Sequence, residues 1–320
     1  MDRNLALELI RVTETAALAA ARRMGRGDRA AAARVAAEAM RKALGGLEIR
    51  GEIALGEGEP GEASALYVGE KVGRGDDGDL EVELAVDPLE GTQLCATGAA
   101  NAISVVAVGE RGTLLRAPDV YMEKIAVGPR ARGAIDLRRS PTENLRRIAD
   151  AMGKYVEDLT VVVLDRPRHE PLVREVRETG ARVKLIADGD LGAALNTCFP
   201  ETGVDVLMGT GGAPEGVISS VALRCMGGDM QARLRPRDEA ERERARRAGV
   251  EDVERVLRAE DMAAGNVMFA ATGVTNGDFL KGILFTGDGA RSHSVVARSK
   301  TGTVRTVETV HCFGREPARR

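Results

Sequence analysis

The amino-acid sequence predicts a layered protein of mixed α+β and α/β class, on the evidence of three patterns. A helical hairpin opens the chain, short apolar strands separated by Gly-rich turns follow it, and strands then alternate with helices. The 320 residues suffice for one large domain or two moderate ones with buried polar groups. We divide the chain into an N-terminal α+β half, residues 1–155, and a C-terminal α/β half, residues 156–320, and expect both to share one layered body.

The N-terminal half begins with two predicted helices. Residues 4–24 place apolar side chains at helical spacing, the run Gly25 to Asp28 breaks the pattern, and residues 30–44 resume it. Four short apolar runs then predict strands at 49–55, 81–86, 102–108 and 124–127. Because no long helix separates these runs, we expect a largely antiparallel sheet.

The C-terminal half alternates helices with strands. Helices are predicted at 142–152, 171–179, 191–196 and 215–226, and strands at 160–164, 182–187, 204–208, 267–272, 293–298 and 303–310. The densely charged segment 236–258 predicts a solvated surface helix with interleaved salt bridges, to which we assign no chemistry. This half therefore has α/β order.

Composition restricts the function. The net charge is −3, aromatic residues make up 2% of the chain and Trp is absent, so we expect no nucleic-acid partner and no aromatic sugar cleft. The four cysteines contain no CxxC pair, which favours reduced residues in a cytoplasmic protein. No stretch approaches the roughly 20 apolar residues of a membrane span. A small, highly charged ligand fits this composition best.

The run AVDPLEGT is the most informative motif. It places Asp87, Glu90 and Thr92 together at the end of a predicted strand, where Pro88 cannot donate to the ladder and Gly91 supplies a tight bend. Such an arrangement presents two carboxylates and a hydroxyl on one rigid edge. An ordinary exit from a strand into a turn is the alternative interpretation.

Two more acidic residues follow predicted strands. Glu57 lies between Gly56 and Gly58, and Glu215 follows Pro214 at the start of a predicted helix. Each carboxylate alone is more often a solvated turn residue than a metal ligand. Together with Asp87 and Glu90 they form an all-oxygen set, which suits Mg²⁺ or Mn²⁺ rather than zinc.

A divalent ion among four carboxylates favours a phosphate ester as substrate. The run Arg166 to His169 can bind phosphate, or it is an exposed loop with a surface histidine. Tyr121 and Lys124 are further candidates for substrate contact. The run Asp188 to Asp190 can accept hydrogen bonds from sugar hydroxyls, or it caps a helix.

These motifs, in this order, resemble the class II (GlpX-type) fructose-1,6-bisphosphatases along nearly the whole chain. The matching runs are RVTETAAL, GRGD, GEGE, LYVGEKVG, DPLEGT, YMEKIAVGP, RPRH, DGD, GGAPEG and ATGVTNGD. The resemblance implies the αβαβα sandwich of the inositol monophosphatase-like, lithium-sensitive phosphatases. It also implies Mg²⁺ or Mn²⁺ dependence and hydrolysis of the 1-phosphate of fructose 1,6-bisphosphate in gluconeogenesis.

The resemblance further implies roles for individual residues. The implied metal ligands are Glu57, Asp87, Glu90 and Glu215. The implied catalytic residues are Thr92, which orients water, with Glu57 and Glu90. The implied substrate contacts are Glu90, Gly91, Thr92, Tyr121, Arg166, Arg168, Asp188, Asp190 and Gly212. We also expect a homo-oligomer.

Three positions depart from the family pattern. Arg29 replaces a Lys, Ala33 replaces an Asp that serves as a further metal ligand, and Gly61 stands where many relatives have Asp. If the missing carboxylate also acts with the Thr92 hydroxyl to activate water, its loss would cost on the order of 10²- to 10⁴-fold in rate. Asp28 and Glu59 are the candidates to supply the missing oxygen.

These departures leave two alternative functions open. One is a divergent paralogue acting on another sugar or nucleotide phosphate, including sedoheptulose 1,7-bisphosphate. The other is a sugar-phosphate-binding protein with weak catalysis.

Overall fold

Helices and strands alternate along the structure, a computed structural model that describes residues 4–314. The helices are α1 (Leu5–Ala21), α2 (Arg29–Leu44), α3 (Thr92–Thr97), α4 (Pro141–Met152), α5 (Glu170–Glu178), α6 (Asp190–Asn196), α7 (Ala213–Met226), α8 (Glu239–Arg247) and α9 (Ala259–Met262). The strands are β1 (Ile49–Leu55), β2 (Lys71–Val72), β3 (Leu80–Glu90), β4 (Ile103–Glu110), β5 (Tyr121–Val127), β6 (Thr160–Leu164), β7 (Arg182–Ile186), β8 (Val206–Gly212), β9 (Asp229–Leu234), β10 (Leu257–Arg258), β11 (Val267–Gly273), β12 (Leu284–Phe285), β13 (Gly289–Arg298) and β14 (Thr303–Cys312).

The strands form two sheets. The first has eight strands in the order β12–β13–β11–β4–β3–β1–β2, with β14 also paired to β13. Its pairs are antiparallel except for β1 with β3, which agrees with the largely antiparallel sheet that the sequence predicts. The second sheet has the order β10–β9–β5–β8–β6–β7 and is parallel only where β6 meets β7 and β8. The division at residue 155 stays a prediction, and each sheet contains strands from both sides of it.

Three helical layers alternate with the two sheets. The helices α1 and α2 pack on the outer face of the first sheet, and α4 and α5 pack on the outer face of the second. Between the sheets, α6 and α7 contact apolar side chains of both. The layer order is therefore α-β-α-β-α, and the predicted layered sandwich is confirmed.

Alternation of side chains within the first sheet explains this layering. Val106 and Val108 of β4 pack toward α1 and α2, whereas Val105 and Ala107 pack toward α7. Because successive residues of a strand project to opposite faces, an unbroken apolar strand can bury both faces under helices. None of the helices described for residues 4–314 is long and apolar enough to cross a membrane.

The elements differ from the sequence-based prediction in a few places. Strand β3 does not end at Val86 but continues to Glu90, because an irregularity between Asp87 and Glu90 absorbs Pro88 without ending the ladder. Within the charged segment 236–258 the helix is limited to the nine residues of α8, and strand β10 ends the segment. Gly249, two residues after α8, has a φ of 87°. Strand β9 is absent from the sequence-based prediction, although its buried residues alternate with partly exposed ones.

A chain of buried hydroxyl groups ties α1 to the first sheet. The Thr13 hydroxyl donates its hydrogen to the Ile10 carbonyl oxygen at 2.9 Å. In its contact with Thr272, at 2.7 Å, Thr13 Oγ1 is therefore the acceptor and the Thr272 hydroxyl is the donor. The Ser294 hydroxyl, 2.8 Å away, then donates to Thr272. All three residues are fully buried.

We expect the substitution Thr272→Val to lower the free energy of unfolding by about 1 to 3 kcal/mol, because it leaves two buried hydroxyl groups without their partner. Urea denaturation monitored by circular dichroism measures the change. The matched control is Thr15→Val, also on α1, where water can replace the exposed hydroxyl's contact with the Arg11 carbonyl oxygen. An equal loss of stability in both variants would contradict the prediction.

Candidate metal and substrate site

A polar cavity of about 290 Å³ lies where β1 and β3 end and α7 begins. Helix α2 closes one side of it through Ala33. The predicted site residues that line this cavity are Glu57, Asp87, Glu90, Gly91, Thr92, Asp188 and Glu215. The sequence motifs therefore meet at one place although they are far apart along the chain.

A bulge in β3 turns Asp87 and Glu90 to the same side. Residues three apart in a regular strand project to opposite faces of the sheet. Here Asp87 pairs with Val105 and Glu90 pairs with Ile103, so three steps on β3 match only two on β4. The extra residue restores a common face for both carboxylates, and it lies in the segment that contains Pro88.

Glu215 enters the cavity from the first turn of α7. The preceding glycine leaves room for it, because a Cβ at Gly212 would lie 1.9 Å from Glu215 Oε2. The Glu215 carboxylate therefore folds back against the backbone at Gly212. A Cβ at this predicted substrate-contact position would displace the Glu215 carboxylate from its place in the cavity.

Gly91 serves a different purpose at the start of α3. Its φ of 80° lies in the left-handed region, which other residues rarely adopt. This conformation reverses the chain directly after Glu90 and brings Thr92, the first residue of α3, to the cavity wall.

The four carboxylates crowd one another. Burial and the negative charge of Glu57 raise the pKa of Asp87 to about 8. Burial and the charges of Asp87 and Asp190 raise the pKa of Glu90 well above its usual range. Burial also raises the pKa of Glu215, against the opposing effect of Lys124. Glu57 keeps the most contact with solvent, yet desolvation of its carboxyl group and the charge of Glu215 raise its pKa to about 7.

This donor set fits a hard divalent cation. One carboxylate oxygen from each of Asp87, Glu90 and Glu215 lies within 4.8 Å of the others, and Glu57 lines the same cavity. Glu215 Oε2 is buried without a hydrogen-bond partner among residues 4–314. Oxygen ligands and unbalanced negative charge are the features that Mg²⁺ and Mn²⁺ sites provide.

Two backbone amides orient the carboxylates of β3. Asp87 Oδ1 accepts a hydrogen bond from the Leu89 amide at 3.0 Å. Glu90 Oε1 accepts one from the Leu191 amide of α6 at 3.2 Å. The second contact fixes Glu90 against the middle helical layer.

A buried ion pair stands behind the cluster. Lys124 Nζ lies 2.7 Å from Asp190 Oδ2, with the two side chains 1% and 9% exposed. The same ammonium group donates to the Gly212 carbonyl oxygen at 3.0 Å. Lys124 therefore fixes both Asp190 and Gly212, the residue against which the Glu215 carboxylate folds.

The remaining predicted substrate residues lie outside the cavity wall. The Arg168 guanidinium stacks over the Tyr121 ring at 4.8 Å and donates to the Thr210 carbonyl oxygen. Arg166 lines a neighbouring groove and donates to the carbonyl oxygens of Asp165 and Ala187. Gly212 and Asp190 connect these groups to the carboxylate cluster.

His169 is not a surface histidine. It is buried, and the Thr210 amide donates to its Nε2 at 2.8 Å, which leaves Nδ1 to donate to the Leu164 carbonyl oxygen. Burial lowers the pKa of His169, consistent with a neutral ring. The residue joins the ends of β6 and β8 and thereby places Arg168.

Arg237 is a further candidate for this region that the sequence does not indicate. Its guanidinium lies 5.5 Å from the Tyr121 ring, on the segment to which no chemistry was assigned. The run Arg235 to Asp238, which follows strand β9, would have indicated it only if that strand had been recognised.

The positions that depart from the family pattern fall in different surroundings. Ala33 faces the cavity, so a carboxylate there would join the cluster. Gly61, with a φ of 93°, has open space beyond its Cα and is outside the cavity. Asp28 caps α2 by accepting from the Ala31 amide, and neither it nor Glu59 lines the cavity.

The chain is similar to known proteins over nearly its whole length. Residues 3–311 match the family model described as bacterial fructose-1,6-bisphosphatase, glpX-encoded. A D-fructose 1,6-bisphosphatase class 2/sedoheptulose 1,7-bisphosphatase of Synechococcus sp. (strain JA-3-3Ab) is 47% identical, with 97% of this chain and 96% of that protein covered. Fructose-1,6-bisphosphatase 1 class 2 of Escherichia coli (strain K12) is 46% identical, with 99% and 97% covered.

A solved structure, the extragenic suppressor protein suhB from Bartonella henselae, is also similar. It shares 13% identity at a TM-score of 0.35, with 62% of this chain and 74% of that chain covered. The layered fold described above rests on the topology of this chain itself.

We expect the metal-free protein to become less stable as the pH rises. The folded state keeps protons on carboxyls whose pKa is about 7 for Glu57 and about 8 for Asp87, whereas the unfolded chain releases them near its ordinary values. The stability that these protonated carboxyls contribute is therefore complete below about pH 4, and it is lost as the pH rises through about 8. The melting temperature without metal should fall by at least about 3 °C between about pH 5 and pH 8.

The variant Asp87→Asn is the control for this titration. It cannot ionise at position 87, so its melting temperature should depend less on pH than that of the parent. A metal-free melting temperature that rises over the same interval would show that the carboxylates are not held protonated by the fold.

We expect Lys124→Met to lower the free energy of unfolding by about 3 to 5 kcal/mol, because the buried Asp190 charge then lacks its partner. Chemical denaturation measures the difference. The control is Lys71→Met, whose side chain is 73% exposed beside Glu52 and whose loss should cost less than about 1 kcal/mol. Similar losses of unfolding free energy in the two variants would show that the buried pair stabilises the fold no more than the exposed pair does.

Proposed function

Because the chain belongs to the bacterial glpX-encoded fructose-1,6-bisphosphatase family, we propose that it is a phosphoric monoester hydrolase acting on fructose 1,6-bisphosphate. The reaction releases the 1-phosphate and leaves fructose 6-phosphate. It is the hydrolytic step that such an enzyme supplies to gluconeogenesis.

One observation carries this proposal. The cavity collects the acidic residues of three separate strand ends together with the hydroxyl of Thr92. A phosphate ester needs cationic charge to approach such a cluster, so the donor set supports a divalent metal ion together with a phosphorylated substrate.

We assign Glu57, Asp87, Glu90 and Glu215 as the residues that would hold Mn²⁺ or Mg²⁺. When bound, the ion would neutralise the carboxylates, polarise the phosphoryl oxygens and lower the pKa of a water molecule. The chain contributes ligands whose positions are already fixed by the β3 bulge, Gly212 and the Leu191 amide.

Other residues of the chain bind and orient the reactants. The Thr92 hydroxyl, at the cavity wall, orients the attacking water, with Glu57 and Glu90 beside it as the acidic catalytic residues. Asp188 accepts hydrogen bonds from sugar hydroxyls, and Asp190, fixed by Lys124, supports the same region. Gly91 and Gly212 allow the substrate to approach the backbone.

The basic residues beside the cavity would hold the second phosphate. Tyr121 and Arg168 stack on each other, and Arg166 lies in the adjoining groove. Guanidinium groups bind phosphate with two parallel hydrogen bonds, which also fixes its orientation. This division of roles places the carboxylates on the phosphate that is cleaved and the basic groups on the phosphate that is retained.

Ala33 keeps two alternatives open. Because this residue faces the cavity where the family has a carboxylate, the chain lacks one acidic group at the reacting end. A divergent preference is one consequence, and sedoheptulose 1,7-bisphosphate is the first candidate, since the Synechococcus relative is named for both sugars. Weak catalysis with retained binding of sugar phosphate is the other. We further propose that the protein is a homo-oligomer of the cytoplasm.

Phosphate release from purified protein tests the function. With Mn²⁺ or Mg²⁺ present, we expect fructose 1,6-bisphosphate to yield one equivalent of phosphate and fructose 6-phosphate, and fructose 6-phosphate itself to yield none. Sedoheptulose 1,7-bisphosphate and nucleotide phosphates complete the panel. Folded, metal-loaded protein that releases no phosphate from any of them would overturn the proposal, and a clear preference for another substrate would favour the divergent function.

We expect Ala33→Asp to raise kcat by about 10²- to 10⁴-fold, because it returns a general base to the cavity wall. Steady-state phosphate release measures it. The control is Ala30→Asp, which adds the same charge to the exposed side of α2 and should leave kcat unchanged. An unchanged rate in the Ala33→Asp variant would mean that the chain activates water without a carboxylate at this position.

A further inference from the structure

Strand β14 forms a long edge of the first sheet. Each of its ten residues pairs with β13, from Thr303 opposite Arg298 to Cys312 opposite Gly289. No strand pairs with its other side among residues 4–314. Half of the backbone amide and carbonyl groups of an antiparallel strand point to each side, so this edge presents a row of open hydrogen-bonding groups.

Two devices that usually protect a sheet edge, a β-bulge and a proline, are absent from β14. Its ladder with β13 has no register shift, and the strand contains no proline. Six of its ten residues are Thr or Val, which favour extended backbone. Two apolar side chains on its even-numbered face are exposed, Val304 by 37% and Val310 by 63%. Such an edge is a template for pairing with another strand.

We propose that β14 pairs antiparallel with β14 of a second copy of this chain, so that the first sheet continues across a twofold axis. A twofold axis that reverses strand direction within one sheet stands perpendicular to the sheet. Paired residues must project to the same face, so this axis passes between two identical residues that lie opposite each other. The two residues nearest the axis are then the same residue of the two copies of the chain.

Charge narrows the choice of central residue. An axis at Arg305 or at Glu308 would place like charges directly opposite each other, which destabilises a ladder. The two residues between them that remain near the middle of the strand are Thr306 and Val307.

The exposed valines select between the remaining registers. An axis at Val307 places Val304 opposite Val310 of the partner subunit, twice by symmetry, and covers both exposed side chains. An axis at Thr306 would instead place Val304 opposite Glu308 of the partner subunit. The strand is therefore complementary to itself when it is centred on Val307, and this self-complementarity identifies the partner as a second copy.

A cysteine cross-link tests the register. In a Cys312→Ser background, we expect Val307→Cys to form a covalent dimer on mild oxidation, because opposed residues of an antiparallel pair have Cα atoms about 4.5 to 5.5 Å apart. The matched variant Thr306→Cys should not cross-link, since its copies would then be diagonal neighbours at roughly 7 to 8 Å. Non-reducing electrophoresis reads the result, and cross-linking of Thr306→Cys alone would overturn the proposal.

The solution mass of the full chain provides the second test. We expect Val304→Lys/Val310→Lys to halve the mass measured by sedimentation or light scattering, because it removes the apolar pairs and opposes like charges. The control is Leu185→Lys on β7, the edge strand of the other sheet, where the side chain is 41% exposed and the mass should not change. Circular dichroism confirms folding of both variants.

A monomeric parent protein would overturn the proposal. So would a double variant with the parent's mass, because the copies would then meet through another surface. Phosphate release is measured separately, so failure of this proposal is distinguishable from failure of the proposed enzymatic function.

Discussion

Mutual repulsion among four carboxylates in one cavity is the constraint on which the site depends. Burial and neighbouring negative charge raise the pKa of Asp87 to about 8 and that of Glu57 to about 7. A fold can keep such a cluster only if its backbone holds the side chains in place and a cation balances them when they ionise. Lys124 supplies one fixed positive charge, but Asp190 already pairs with it. The negative charge that Lys124 leaves unbalanced therefore requires a cation bound from solution. This requirement connects the arrangement of the carboxylates to metal-dependent chemistry.

The layered fold meets this constraint by combining rigid elements from distant parts of the chain. The β3 bulge turns two carboxylates to one face, α7 brings Glu215 against Gly212, and an amide of α6 fixes Glu90. The middle helical layer thus connects both sheets to the site. Three of the four proposed metal ligands, Asp87, Glu90 and Glu215, belong to backbone that is part of a sheet or a packed helix, so they are in position before a metal ion binds.

Sequence patterns predict most of this arrangement, and the exceptions have physical causes. Hydrophobic periodicity locates α1, α2 and the apolar strands, and Gly-bracketed acidic residues at strand ends indicate the cavity. The pattern could not show that β3 passes Pro88, because a bulge is set by pairing with β4 rather than by local preference. It could not place His169 in the interior or Arg237 beside Tyr121, since both positions depend on contacts between distant segments. The Lys124–Asp190 pair is likewise a tertiary contact, although both residues stood out in the sequence as polar candidates.

Proton release on metal binding tests the central claim most directly. Titrating Mn²⁺ into the metal-free protein in buffers of different ionisation enthalpy gives the number of protons released with each ion. Because the pKa of Glu57 is about 7 and that of Asp87 about 8, we expect binding to release protons at about pH 6.5 and fewer at about pH 8.5. Binding at about pH 6.5 with no proton release, or no binding at either pH, would contradict a cluster of buried, partly protonated carboxylates that a divalent ion balances.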